Sequence, residues 1–158
     1  MIEARPASPE DHAFLFELYA STRREELAAW GWDPAQQNAF LQMQFLAQTR
    51  AYEGQYSGAE HRILWQGGQR MGRTLVARSE SEIHLVDIAL LPEFRGQGHG
   101  TTVLRELQAE AAATGKPLRL SVLSQSPARR LYQRLGFDAI NDDGLYCSMV
   151  WQTPTQSM

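Results

Sequence analysis

The stretch Leu90-Leu91-Pro92-Glu93-Phe94-Arg95-Gly96-Gln97-Gly98-His99-Gly100-Thr101 decides how the rest of this 158-residue chain is read. An apolar run from Ile83 to Leu90 precedes it, and Val103, Leu104, Leu107 and Ala111 follow at helical spacing, so the pattern is strand, glycine-rich turn, helix start. Glycines at alternate positions let the backbone turn sharply and come close to a ligand, because no Cβ limits either the dihedrals or the approach. The orphan amides and positive dipole end of the following helix favour a phosphate or pyrophosphate, and Arg95 adds a fixed positive charge.

Spacing separates the kinds of glycine loop. A loop of the nucleotide-hydrolase type ends in Gly-Lys-Ser/Thr, whereas this one ends Gly98-His99-Gly100-Thr101. A dinucleotide fingerprint needs its third glycine at position 101, which is Thr. What remains is Arg95-x-x-Gly98-x-Gly100 after Pro92-Glu93-Phe94. A later segment, Ser126-Pro127-Ala128-Arg129-Arg130-Leu131-Tyr132-Gln133-Arg134-Leu135-Gly136-Phe137, opens with a cap and a proline, carries Ala128, Leu131, Tyr132 and Leu135 as one apolar stripe, and stops at Gly136. These two segments, in this order and with a strand-length segment between them, resemble the pyrophosphate loop and the later helix-to-strand motif of the GCN5-related N-acetyltransferase (GNAT) family. The likeness covers about Gln69 to Trp151.

Working outward, Ile2 to Arg5 alternates as a first strand that Pro6 terminates, and Ser8-Pro9-Glu10-Asp11 opens a helix carrying Phe14, Leu15, Leu18 and Tyr19 on its core side. Glu25, Glu26, Trp30 and Trp32 fall in a connection. Asp33-Pro34 opens a second helix, apolar over a wide arc (Phe40, Leu41, Met43, Phe45, Leu46, Ala47). Gly54 to Glu60 reads as loop, and Arg62 to Trp65, Gly67-Gly68 and Met71 to Arg78 as a hairpin. Beyond the central helix, Gly115 and Pro117 form a stop, Leu118 to Leu123 a strand, and Phe137 to Ile140 and Leu145 to Trp151 a hairpin around Asn141-Asp142-Asp143-Gly144. The order is β-α-α-β-β-β-α-β-α-β-β, the layout of the acetyltransferase fold.

The net charge of -3 argues against a broad nucleic-acid surface, which needs a concentrated basic face, so any anion site is local. No eighteen apolar residues run together and the start has no apolar signal core, so a cytoplasmic protein without membrane contact is expected. Cys147 is the only cysteine, which excludes an internal disulfide and a zinc cluster of structural spacing. It reads as a half-buried strand residue rather than an acyl-carrying nucleophile, with no nearby His in sequence to activate it. The size suits one domain burying roughly two thirds of its unfolded surface.

The resemblance implies an α/β (α+β) fold, a mixed and mostly antiparallel sheet with helices on both faces. It forms a single N-acetyltransferase domain over 1–152, with a flexible tail at 153–158. It implies acetyl-CoA as co-substrate, no metal, and direct attack on the thioester by a primary amine of a small molecule or peptide. The backbone of Ile88, Ala89 and Leu90 then pairs with the pantetheine arm, and the amides of Arg95, Gly96, Gln97, Gly98, His99, Gly100 and Thr101 hold the pyrophosphate. Tyr132 stands where the family's helix tyrosine protonates the departing thiolate. Many members have Asn shortly before that helix; here Gln125 and Ser126 occupy the place, and Ser126 becomes the candidate contact. His84 lies on the strand register where some members place a base. Asp87 and Glu82 are expected on the opposite face, with Asp87 a further candidate. The first two helices and their connection form a wall of the acceptor site, where Glu25, Glu26 and the two tryptophans suit a cationic amine. A homodimer through an edge strand is compatible with this layout. Two rival readings are a catalytically silent acyl-CoA-binding domain on the same fold and a domain holding ATP or NAD.

Overall fold

The computed structural model describes residues 2–153; of the expected tail, 154–158 lie outside the described residues. Twelve principal elements run in chain order: β1 (Glu3–Pro6), α1 (His12–Ser21), α2 (Arg24–Ala29), α3 (Pro34–Gln55), β2 (Glu60–Gln66), β3 (Gln69–Arg78), β4 (Ile83–Leu90), α4 (His99–Thr114), β5 (Leu118–Leu123), α5 (Ala128–Arg134), β6 (Asp138–Asp142) and β7 (Tyr146–Trp151). The seven strands form one sheet in the order β1-β2-β3-β4-β5-β7-β6. It is mixed because β4 and β5 run parallel, His84 opposite Arg119, while β1 with β2, β5 with β7 and β6 with β7 are antiparallel.

The chain forms two compact units, one made of residues up to Thr74 with Ala89–Arg95, the other of Leu75–Ile88 with Gly96 onward. In the first, α3 starts as its sequence dictates: Asp33 Oδ1 accepts the Gln36 amide at 2.8 Å, Gln36 Oε1 accepts the Asp33 amide at 3.2 Å, and Pro34 follows the cap. The helix buries Leu41 and Phe45, and the Phe45 ring collects His12, Phe16 and Tyr19 from α1. Its apolar arc is narrower than the sequence suggests, since Met43 and Leu46 are exposed. It also runs through Gly54 into the segment expected as loop.

A further difference is α2. The connection expected at Glu25 and Glu26 is helical because Arg24 to Ala29 are all good helix formers with an apolar Leu27 to bury, and Gly31, at φ +79°, ends it. Pro6 also lies within β1 rather than ending it, which an edge strand tolerates because that ladder asks for no donor from proline. The β2–β3 turn is two residues, Gly67 and Gly68 at φ +58° and +79°, the conformation only glycine enters without strain.

In the second unit, Leu118, Leu120 and Val122 of β5 and Ile83 and Leu85 of β4 alternate onto one buried face, with Cys147 and Met149 of β7. Val103, Leu104, Leu107 and Ala111 give α4 its buried stripe, and burying the valine and leucine side chains contributes about 1.5–3 kcal/mol each. Gly115 at φ +67° ends α4, and the Lys116 amide reaches back to the Ala111 carbonyl at 3.0 Å. Arg78 Nε and Nη2 grip both oxygens of Glu110 at 2.6 and 2.8 Å, fastening the end of β3 to α4. The last hairpin is offset from its expected place: β6 reaches Asp142, β7 begins at Tyr146, and a bulge falls between Ala139 and Asn141.

Candidate functional site

The chain leaves β4 through Leu91, makes one 3-10 turn over Pro92–Phe94, and enters the glycine loop. Gly96 and Gly98 sit at φ +73° and +86°, so both positions demand glycine for their dihedrals. Gly100 differs, because its φ is ordinary and a Cβ added there would meet nothing within 4 Å. Neither its dihedral nor a neighbouring atom therefore requires a glycine at Gly100. Among the described residues, the amides of Gly96, Gly98, Gly100 and Thr101 take no partner, as expected around a helix start where no carbonyl lies one turn back. The first bond of the new helix is Thr102 N–H to the Gly98 carbonyl at 3.0 Å.

Arg95 is turned back on the strand end: its Nε donates to the Leu90 carbonyl at 2.9 Å. Its charge thus sits at the root of the loop, and of the three carbonyls expected to face a pantetheine, that of Leu90 has a partner. The Ala89 carbonyl lies where a side chain at Gly72 would be, so β3 and β4 pass each other there with room only for glycine.

Tyr132 lies on α5, buried, with its ring 5.8 Å from that of Phe137. Burial first, and then the negative charge of Asp87, push its hydroxyl above the usual tyrosine value. It stays protonated at neutral pH, a state able to donate. By strand alternation Asp87 shares the face of Leu85 and Ile83, and His84 takes the other. His84 is half-buried, and its pKa is lowered by desolvation in the first place, with Glu82 opposing the shift and Arg119 adding to it. Glu82, expected with Asp87, lies just before the strand and belongs to the His84 side instead: Arg119, opposite His84 in the ladder, donates through Nη1 to both Glu82 oxygens at 3.0 and 3.3 Å. One strand therefore presents a neutral imidazole on one side and, on the other, a carboxylate whose field reaches Tyr132.

Ser126 caps α5, accepting the Ala128 amide through Oγ at 3.2 Å and the Arg129 amide through its carbonyl at 3.1 Å. A cavity of about 520 Å³ opens beside it, lined also by Gln125, Arg129 and Arg130. Arg129 is engaged by Asp142 at 3.0 Å, whereas Arg130 is exposed and makes no ion pair among the described residues. That cavity is absent from the sequence reading, although two adjacent arginines at a cap-then-proline helix start were a usable signal.

Of the residues expected on the acceptor wall, Glu26 is paired with Arg23 at 3.3 Å and Trp32 packs edge-on against Phe40 at 5.1 Å, beside the buried cluster of Ala20, Leu27 and Leu41. Trp30 is more than half exposed, and the Glu25 side chain lies outside the described residues. Cys147 is fully buried. Among the described residues no group of His, Cys, Asp or Glu is placed to hold a metal ion, and no helix is long and apolar enough to cross a membrane.

The fold and loop together define an α/β protein with a glycine-rich turn leading from its β4 strand into a helix start. The family model for the acetyltransferase (GNAT) domain matches residues 25–151, and the chain belongs to that family. No curated protein gives a significant match. Among solved structures, the chain is similar to the PaiA N-acetyltransferase of Thermoplasma acidophilum in complex with coenzyme A, at 19% identity, 97% of this chain, 99% of that one and a TM-score of 0.70. It is also similar to the ribosomal-protein-S18-alanine N-acetyltransferase of Escherichia coli (18% identity, 99% and 97% covered, TM-score 0.64). A third likeness is to a GNAT family acetyltransferase of Elizabethkingia anophelis with acetyl-CoA bound (16% identity, 96% and 98% covered, TM-score 0.61).

Proposed function

We propose that this protein is an N-acetyltransferase, one domain over 1–152, that moves the acetyl group of acetyl-CoA to a primary amine in a single displacement. The observation that carries the reading is the set of amides of Gly96, Gly98, Gly100 and Thr101 that take no partner among the described residues, with open space where a Cβ at Gly100 would stand. Amides and a helix dipole aimed outward suit a diphosphate. In this reading Ile88, Ala89 and Leu90 offer backbone groups to the pantetheine, and Ser126 and Arg130 face the nucleotide end. Relatives of the same fold with coenzyme A or acetyl-CoA bound support the choice of cofactor.

The thioester is already activated, so the chemistry asks little of the protein beyond alignment and proton movement. An alkyl amine with a pKa near 10.4 is neutral in only about one molecule per few thousand at pH 7. His84, neutral because burial lowers its pKa, takes the surplus proton by way of a water relay, since it stands on the side of β4 away from Tyr132. The amine nitrogen attacks the carbonyl carbon, the carbon–sulfur bond breaks, Tyr132 delivers a proton to the departing sulfur, and the proton shed by the new amide nitrogen returns to the Tyr132 oxygen. Asp87 keeps Tyr132 protonated until then by raising its pKa.

Steady-state acetylation of an amine panel, covering polyamines, amino acids, aminoglycosides and peptide N-termini, tests the reading. The expected result is acetyl-CoA-dependent turnover of at least one amine. Tight binding of coenzyme A with no turnover of any of them would instead favour a silent acyl-CoA-binding domain.

A further inference from the structure

The cavity beside Ser126 belongs wholly to the second compact unit, which also carries the loop from Gly96 onward. At about 520 Å³ it falls within the roughly 300–1,000 Å³ of small-ligand pockets, but its wall is not the usual apolar one. Gln125, Ser126 and Gln133 contribute polar side chains, Arg129 and Arg130 contribute charge, and among the described residues no carboxylate lines it.

The two arginines differ in kind. Arg129 Nη1 donates to the Ser124 carbonyl at 3.2 Å and to Asp142 Oδ2 at 3.0 Å, while Asp142 Oδ1 accepts the Ser124 hydroxyl at 2.7 Å and the Gly144 amide at 2.9 Å. Arg129 is therefore a neutralised brace. The Arg130 side chain has no partner among the described residues, so the cavity keeps one uncompensated positive charge in a chain whose net charge is -3. Such a lining matches a phosphate monoester, which carries about -1.5 to -2 charges at neutral pH and three acceptor oxygens for guanidinium, amide and hydroxyl donors.

The place of the cavity says which phosphate. β4 and β5 are parallel neighbours, Ile83 beside Leu118, and α4 and α5 follow them, so both helices begin beyond the carboxyl ends of adjacent strands. They lie side by side, since Gln108 Nε2 of α4 donates to the Leu135 carbonyl at the end of α5 at 2.8 Å. Counting back about 1.5 Å per residue, nine residues to His99 and seven to Ala128, puts the two helix starts within about 3 Å of one level, on axes about 8–10 Å apart. A diphosphate on the loop amides and a phosphate in the cavity are thus one sugar apart, which is how coenzyme A carries its 5′-diphosphate and 3′-phosphate.

We infer that this cavity receives the 3′-phosphate of acetyl-CoA, and that Arg130 makes the protein select the coenzyme over its 3′-dephospho form. The inference rests on the coenzyme reading above and adds to it the residue that discriminates.

Calorimetric titration of acetyl-CoA and of 3′-dephospho-acetyl-CoA into the native protein, Arg130→Gln and Arg134→Gln is the test. Arg134 carries the same charge one turn further along α5 but does not line the cavity. The native protein is expected to bind acetyl-CoA about tenfold or more tightly than the dephospho form, the cost of a lost charge-assisted hydrogen bond. Arg130→Gln should bind acetyl-CoA as weakly as the native protein binds the dephospho form, with affinity for the latter unchanged, and Arg134→Gln should keep the preference. The native comparison needs no variant, so it decides even where a substitution fails to fold. Equal affinity of the native protein for the two forms, or a preference of the same size in Arg130→Gln, overturns the assignment while leaving the coenzyme reading intact. Binding of neither form contradicts the coenzyme reading itself, and this inference with it.

Discussion

Replacing Gly72 by alanine probes the point where β3 and β4 approach most closely. The backbone dihedral there is an ordinary one, so the substitution carries no conformational strain of its own. The added Cβ, however, would fall on the Ala89 carbonyl oxygen and lie 2.8 Å from Leu90 Cδ2 and 3.1 Å from Leu90 Cα. Two of these three obstacles are backbone, which no rotamer change removes, and the neighbouring Leu91 amide to Met71 carbonyl bond at 2.9 Å resists separation of the strands. Overpacking of this kind costs about 1–3 kcal/mol, and the stiffer unfolded chain returns about 0.4–1 kcal/mol. A net loss of about 1–2 kcal/mol lowers the melting temperature by roughly 2–8 °C in a domain of this size. Gly54, inside α3 with open space where a Cβ would stand, is the matched control: Gly54→Ala should stabilise by about 0.5–1 kcal/mol. Thermal unfolding followed by circular dichroism, with urea titration as a second measure, reads both. A Gly72→Ala protein as stable as the native one would refute the reasoning, since the close passage of the strands would then not constrain the chain.

Asp11→Asn should destabilise by about 1–3 kcal/mol at pH 7, because Arg70 and Ser8 lose a charged acceptor. Burial pushes the Asp11 carboxyl up, but the Ser8 amide and Arg70 outweigh it and the folded pKa is lowered. The stabilisation is therefore present above the unfolded value of about 3.9 and is lost as the pH falls through the lower, folded one, so native and variant stabilities measured by urea unfolding should converge in acid. Tyr132→Phe should reduce kcat about a hundredfold while leaving the KM for acetyl-CoA and the melting temperature nearly unchanged; an unaltered kcat would remove Tyr132 from the chemistry. With His84 as base, kcat/KM of the native enzyme should fall with decreasing pH along a limb below about 6.5, since burial holds the imidazole pKa under that ordinary value. His84→Gln should lack this limb, and a variant with an identical pH profile would exclude the assignment.

The features legible in the sequence are those whose cause is local. Ile83 to Leu90 reads as a strand to the residue, Gly67-Gly68 as a two-residue turn, Leu118, Leu120 and Val122 as one face, and Gly115 as a helix stop, because each rests on dihedral freedom or on period-two alternation within a few residues. The arrangement that depends on distant residues was hidden. Nothing near Asp11 signals Arg70, fifty-nine positions away, and nothing near Gly72 signals the carbonyl that forbids it a side chain. The helix at Arg24–Ala29 was passed over because its single buried residue, Leu27, gives no periodic pattern to detect. Glu82 stands two residues before His84, so period-two alternation itself places it with His84 and not with Asp87, and its bond to Arg119 lies on that side. In the candidate site the same division holds: the glycine loop and Tyr132 were visible as motifs, whereas the charge of Asp87 acting on Tyr132 and the partnership of His84 with Glu82 and Arg119 come only from the folded sheet.

The most direct trial is isothermal titration of acetyl-CoA into the native protein and into Gly100→Val, whose Cβ enters open space at the loop. Saturable one-to-one binding by the native protein, weakened about tenfold or more in a variant of unchanged melting temperature, is the expected result. Undiminished affinity in the variant, or heat no greater than dilution in the native protein, would contradict the claim that these amides hold the diphosphate.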